Sequence, residues 1–182
     1  TEKMILCVSN FFPGKGQEFL EKILPRVHKH VNNFTMVFIC TTVNYAAANH
    51  QRDKVKIKLK NYEFASKVLL DIPRADTIQA FNEADVFAFP SQTEVAPVVV
   101  LESMAARLPW VALPVGNIPT LSGGKIAHHL YVDHKRMFIY GEETYDVFAK
   151  SLIERLSDKR LKEEWGGIGR KLIEEKYNWD II

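Results

Sequence analysis

Residues 84–119, ADVFAFPSQTEVAPVVVLESMAARLPWVALPVGNIP, constrain the fold more than any other part of the chain, because they read as strand, loop, helix and strand in direct succession. DVFAFP has the length and composition of a short buried strand, and residues 91–96 form a polar loop at its carboxyl end. PVVVLESMAAR reads as a helix that Pro97 opens and Pro109 closes, and WVALPVG as the next strand. Open parallel sheets bind their ligands in the crevice at the carboxyl ends of such strands. Two carboxylates flank this strand-to-helix turn: Glu94 in the loop and Glu102 in the helix, roughly 7 Å further along its axis at about 1.5 Å per residue. Carboxylates accept well from paired sugar hydroxyls. Taken alone, the same two residues also read as a solvated loop carboxylate and a water-facing helix residue.

The alternation continues along the chain. KMILCVSN predicts a first strand, and QEFLEKILPRVHKHV a helix with Phe19, Leu20, Ile23, Leu24 and Val27 on its apolar side, which Pro25 kinks or ends. FTMVFICTT predicts a second strand. The next segment, NYAAANHQRDKVKIKLKNYEF, is ambiguous: mainly helical in composition, but VKIKLK alternates as a strand does. KVLLDI follows as a strand, DTIQAFNEA as a short helix, and RMFIYG as a sixth strand after WVALPVG. Two helices, EETYDVFAKSLIERLSD and DKRLKEEWGGIGRKLIEEKYN, meet at a turn near Ser157 and Asp158. The expected fold class is α/β, a Rossmann-like, doubly wound and mainly parallel sheet flanked by helices.

With 182 residues, 47% of them hydrophobic, the chain suits one well-buried α/β domain. Twenty-four basic against 22 acidic residues leave a formal charge of +2. That balance gives no electrostatic case for a nucleic-acid partner or a membrane surface. Cys7 and Cys40 lie in apolar runs and read as buried thiols, which fits a reducing, cytoplasmic setting. No run approaches the roughly 20 apolar residues of a membrane helix. His28 with His30, and His128, His129 and His134 with Asp133, match no tight zinc spacing, so no metal site is expected.

PGKG, residues 13–16, follows a strand and precedes a helix. It reads either as a Pro-Gly turn with a solvated lysine or as a place where backbone, helix N-terminus and the Lys15 ammonium converge on phosphate. PVGNIP, residues 114–119, is a second turn at the same end of the sheet, and residues 122–124 form a further glycine-rich turn.

Taken together, the E-x7-E pair Glu94/Glu102, the SMAA that follows Glu102, the next strand and PVGNIP resemble the donor-binding half of retaining, nucleotide-sugar-dependent glycosyltransferases of the GT-B fold. The resemblance runs from VSNFFPGKG to EKYNWDII. It implies that residues 1–182 are one nucleotide-sugar-binding domain of a two-domain enzyme, with the acceptor-binding N-terminal half lying outside this chain. It also implies a UDP-, GDP- or ADP-sugar as donor substrate, no cofactor and no metal. The acceptor would be a glycan or lipid-linked molecule, with peripheral contact at the inner face of a membrane open to the full protein. By the same resemblance, Glu94 meets hexose hydroxyls near the reacting carbon, Lys15 holds the donor diphosphate, and Glu102 accepts from the ribose. Thr93, Val95, Ala96, Pro97 and Val98 form the turn around sugar and phosphate, with N–H groups of Val95, Ala96 and Val98 as donors. Gly14 and Gly16 shape the phosphate loop. Asn10 stands where the family has an arginine on the diphosphate, and Asn117 and Thr120 stand in for a Gly and a Glu of the family's Gly-Gly-x-Pro-Glu turn. The isolated domain is expected to be inactive. A non-catalytic, transferase-like binding module and a nucleotide-sugar epimerase-like domain are the alternatives.

Overall fold

The computed structural model describes residues 2–121 and 141–178. Five strands, β1 (Lys3–Val8), β2 (Phe34–Cys40), β3 (Ala65–Leu70), β4 (Val86–Phe89) and β5 (Trp110–Ala112), form one sheet in the order β3-β2-β1-β4-β5. Every pairing is parallel, from Lys3 opposite Phe34 on one side of β1 to Ile5 opposite Val86 on the other. The chain winds outward through β2 and β3, then crosses back to place β4 on the other side of β1. Right-handed crossovers therefore put α1 (Gln17–His28) and α2 (Ala46–Leu59) on one face of the sheet, and α3 (Arg74–Glu83) and α4 (Val98–Ala105) on the other. After the short α5 (Ile118–Leu121), α6 (Glu142–Ser157) packs on α1 and α7 (Lys159–Lys176) on α4. The Rossmann-like architecture is the one expected. RMFIYG lies almost wholly outside the described residues, as do residues 122–124 and the His128, His129, Asp133, His134 group.

The central strands carry apolar side chains on both faces because helices cover both. All seven residues of β2 are buried, and Ile5, Leu6, Phe38, Phe87 and Val111 are at most 1% exposed. Cys7 and Cys40 are free thiols in this core. Burial pushes Cys40 up to about 11 and raises Cys7 as well, so both stay protonated.

Two open readings are settled and one expectation is corrected. Pro25 neither ends α1 nor marks its boundary, since the helix runs on to His28. The apolar stripe on both sides of the proline is buried, and that packing outweighs one missing backbone bond. The ambiguous segment is a helix: Ala48, Gln51, Val55 and Leu59 are buried at helical spacing, while Ile57 of the alternating VKIKLK run faces water. Pro109 does not close α4. Arg107 does, with a φ of 56° and a Schellman arrangement in which the Leu108 N–H donates to Ser103 O at 2.9 Å and the Arg107 N–H to Met104 O at 3.1 Å. Gly166 of α7 lies on the Arg107 carbonyl, where a Cβ would come within 2.0 Å.

At the amino edge of the sheet, Asp85 joins three elements. Its carboxylate accepts the Met4 N–H at 2.9 Å and the Lys162 ammonium at 3.0 Å, with Lys3 at 3.5 Å. Burial pushes this carboxyl up, but the Met4 N–H and the two lysines outweigh it and hold Asp85 below the usual carboxylate range. A group depressed in this way contributes stability above its unfolded pKa and loses it as pH falls through the folded value. Asp85→Asn is therefore expected to cost about 1–2 kcal/mol at neutral pH. The gap to the parent should close as the pH of urea unfolding is taken below about 4. A gap that stays constant to pH 2 would remove the carboxylate from this role.

Candidate active site

The order reversal beside β1 leaves a crevice between β1 and β4, and the loops leaving those two strands are stitched together across it. Gln92 N–H donates to Gly14 O at 2.7 Å, and the fully buried Ser91 hydroxyl reaches both Gly14 O and Thr93 O. Gly16 has a φ of 84° and sits so close to Pro90 that a Cβ would come within 2.1 Å of its carbonyl oxygen. Gln17, the first residue of α1, is 0% exposed and donates its side-chain amide back to Ser9 O and Asn10 O. The PVGN turn after β5 closes the third side: Asn117 N–H donates to Val95 O at 2.9 Å, and Gly116 leaves no space for a Cβ against the Glu94 and Val95 carbonyls.

This framework brings Lys15 and Glu94 into direct contact across 79 positions of sequence. Lys15 Nζ lies 2.6 Å from Glu94 Oε1, with the lysine side chain 31% and the glutamate 12% exposed. Glu102 sits in the second half of α4 and pairs through Oε1 with Arg74 Nη2 at 2.5 Å. Arg74 is the first residue of α3, and sequence reasoning missed it. Its signal was a Pro-Arg step just beyond the carboxyl end of a predicted strand. Gln17 carried no comparable signal.

Asn10 does not turn toward Lys15. Its Oδ1 accepts the Thr41 N–H at 2.9 Å and the Thr41 hydroxyl at 2.7 Å, tying the carboxyl ends of β1 and β2 together. The same edge continues to β3, where Thr42 donates both hydroxyl and N–H to Asp71 and these bonds hold the Asp71 carboxyl below its usual range. Thr93, Val95 and Ala96 are exposed and Pro97 is buried as the residue preceding α4. Of the valines in and before α4, Val100 is fully buried, but Val98 is 63% exposed and Val95 is 85% exposed. Among the described residues, the N–H groups of Val95, Ala96 and Val98 make no hydrogen bond. A cleft of about 300 Å3 follows the other flank of residues 13–16 to His50, Gln51 and Lys54 of α2. Neither Glu94 nor Glu102 lines it. Among the described residues, no cluster of three or more His, Cys, Asp or Glu side chains is placed to hold a metal ion, and no helix is long and apolar enough to cross a membrane.

A five-stranded parallel sheet flanked by helices, with its order reversing beside β1, is a Rossmann-like fold of the kind that GT-B glycosyltransferase structures share. The chain belongs to the glycosyl transferases group 1 family, whose model matches residues 2–158. It is 28% identical over 183 residues to an uncharacterised glycosyltransferase of Methanocaldococcus jannaschii, covering 100% of this chain and 43% of that protein. It is 25% identical over 186 residues to a GDP-mannose-dependent alpha-(1-6)-phosphatidylinositol monomannoside mannosyltransferase of Mycobacterium tuberculosis, covering 98% of this chain and 44% of that one. The chain thus spans less than half the length of these relatives. The fold matches sucrose-phosphate synthase from Thermosynechococcus elongatus with a TM-score of 0.81 at 18% identity, covering 99% of this chain and 42% of the other.

Proposed function

We propose that this chain is the nucleotide-sugar donor-binding half of a retaining glycosyltransferase that moves a hexose to an acceptor hydroxyl. The observation that carries the reading is the convergence of Lys15 and Glu94, 2.6 Å apart, at the crevice of the sheet beside the unpartnered N–H groups of Val95, Ala96 and Val98. A cation, a carboxylate and backbone donors are what a sugar diphosphate needs: positive charge and N–H groups for the phosphates, an acceptor for the hydroxyls. Lys15 and the N-terminus of α1 stabilise the charge that develops on the departing diphosphate. Glu94 holds the hexose through its hydroxyls, and Glu102 keeps one carboxylate oxygen for the ribose while Arg74 occupies the other. The bond from the sugar's anomeric carbon to the diphosphate breaks and the acceptor hydroxyl attacks from the same face, passing through an oxocarbenium-like state. The donor is the substrate and no cofactor takes part. The acceptor binds to a second domain outside this chain, so the chain alone binds donor without turnover. The Mycobacterium tuberculosis relative, which by name uses GDP-mannose and a phosphatidylinositol monomannoside, favours a hexose donor and a lipid-linked acceptor.

Calorimetric or NMR titration with UDP, GDP, ADP and their sugar conjugates tests this. Saturable binding of one nucleotide series is expected, weakened about tenfold or more in Glu102→Ala, as for loss of a charge-assisted hydrogen bond. Absence of binding at millimolar ligand, by this chain and by the full-length protein alike, overturns the reading. A non-catalytic binding module is the second reading. It is favoured by Asn10, which occupies the family's arginine position and commits its oxygen to Thr41. Turnover by the full-length protein would exclude it.

A further inference from the structure

Both carboxylates of the site already hold a cation, but the two pairs differ in what a ligand must do to them. Arg74 is 59% exposed where it meets Glu102, so water solvates and screens that pair. Lys15 and Glu94 are 31% and 12% exposed, and their backbones are fixed. Lys15 N–H donates to Phe12 O at 3.0 Å, Gly14 O is held by Gln92, and Gly16 abuts Pro90. The loop therefore leaves side-chain rotation of Lys15 as the way for its ammonium to reach an incoming phosphate. As the ammonium moves, Glu94 loses its partner while remaining largely enclosed, and it then faces the negative charge of the diphosphate. A carboxylate in that position is costly unless other donors replace the lysine. An ammonium shared between carboxylate and diphosphate gives little relief, since it holds two anions close together.

We propose that the Lys15–Glu94 pair makes this site select a sugar nucleotide over the bare nucleoside diphosphate, because only the sugar brings hydroxyl donors to Glu94 as Lys15 is drawn onto the phosphates. The same pair then favours product release: once the hexose has been transferred, Glu94 recaptures Lys15 and the diphosphate loses its cation. This selectivity rests on the donor site of the preceding subsection.

The test compares the dissociation constants of UDP with UDP-glucose, and of GDP with GDP-mannose, for the parent chain and for Glu94→Gln, an isosteric change. For whichever nucleotide series binds, the parent is expected to prefer the sugar nucleotide by about tenfold or more, the scale of one charge-assisted hydrogen bond. Glu94→Gln is expected to bind the bare diphosphate about tenfold more tightly than the parent, bringing the ratio close to one. The gain should vanish when Glu94→Gln is combined with Lys15→Met and compared with Lys15→Met alone, measured by NMR at millimolar ligand. Unchanged or weaker diphosphate binding in Glu94→Gln overturns the inference while leaving the donor site standing. A gain that persists without Lys15 also overturns it, assigning the effect to plain repulsion by the carboxylate. Failure of the UDP, GDP and ADP series alike to bind, in this chain and in the full-length protein, overturns both readings.

Discussion

Gly16→Ala is expected to abolish nucleotide binding and to lower the stability of the chain by more than about 3 kcal/mol. Two independent penalties meet at this position. The backbone has a φ of 84°, a region that residues with a Cβ rarely enter, and the Cβ itself would lie 2.1 Å from the Pro90 carbonyl oxygen. The obstacle is backbone and belongs to a buried residue, so no side-chain rotation relieves it. Relief requires separating the loop after β1 from the loop after β4, which also breaks the Gln92 to Gly14 bond and carries Lys15 away from Glu94. Gly141→Ala is the control, because no described residue lies within 4 Å of its added Cβ. Urea unfolding and a nucleotide titration on both variants decide the matter. A Gly16→Ala chain with parental stability and affinity would mean that the two loops can part without consequence.

Much of this arrangement is legible in the sequence, and the parts that are not share a physical cause. Strands β1, β2 and β4 are short apolar runs bounded by turn residues, and helices on both sides of the sheet require that pattern. Glu94 and Glu102 were legible because one strand-loop-helix unit holds them at fixed spacing. Their cations were not, since Lys15 lies 79 positions before Glu94 and Arg74 lies 28 positions before Glu102, and only the order of the strands decides which loops become neighbours. The helix α2 was ambiguous because its charged outer face interleaves with Val55, Ile57 and Leu59, and the burial that separates Ile57 from the other two is tertiary. Arg107 ends α4 in a conformation that favours glycine, which no local preference predicts. Its carbonyl is pinned against Gly166 of α7, so the cost of the turn is offset by packing between distant helices.

On the proposed function, Lys15→Met is expected to lower kcat/KM of the full-length protein by about 10²–10³, the loss typical when one donor to developing transition-state charge is removed, or roughly 2.7–4 kcal/mol. On the proposed function the upper part of that range is the more apt, because position 10 supplies no guanidinium: Asn10 directs its oxygen at Thr41, leaving Lys15 as the cation proposed for the diphosphate. The loss should appear in kcat more than in KM, since charge on the leaving diphosphate grows as its bond to the sugar breaks. Folding should respond as well, because Lys15→Met leaves the largely enclosed Glu94 carboxylate without its partner, though by less than for a pair sealed in the core. Lys15→Arg separates charge from geometry. A guanidinium retains the charge but not the compact ammonium that fits between Glu94 and the loop, and partial recovery of kcat is the expected result. A Lys15→Met protein that keeps kcat within about threefold of the parent would place the stabilisation of the leaving group elsewhere, in the free N–H groups around the start of α4 or outside this chain.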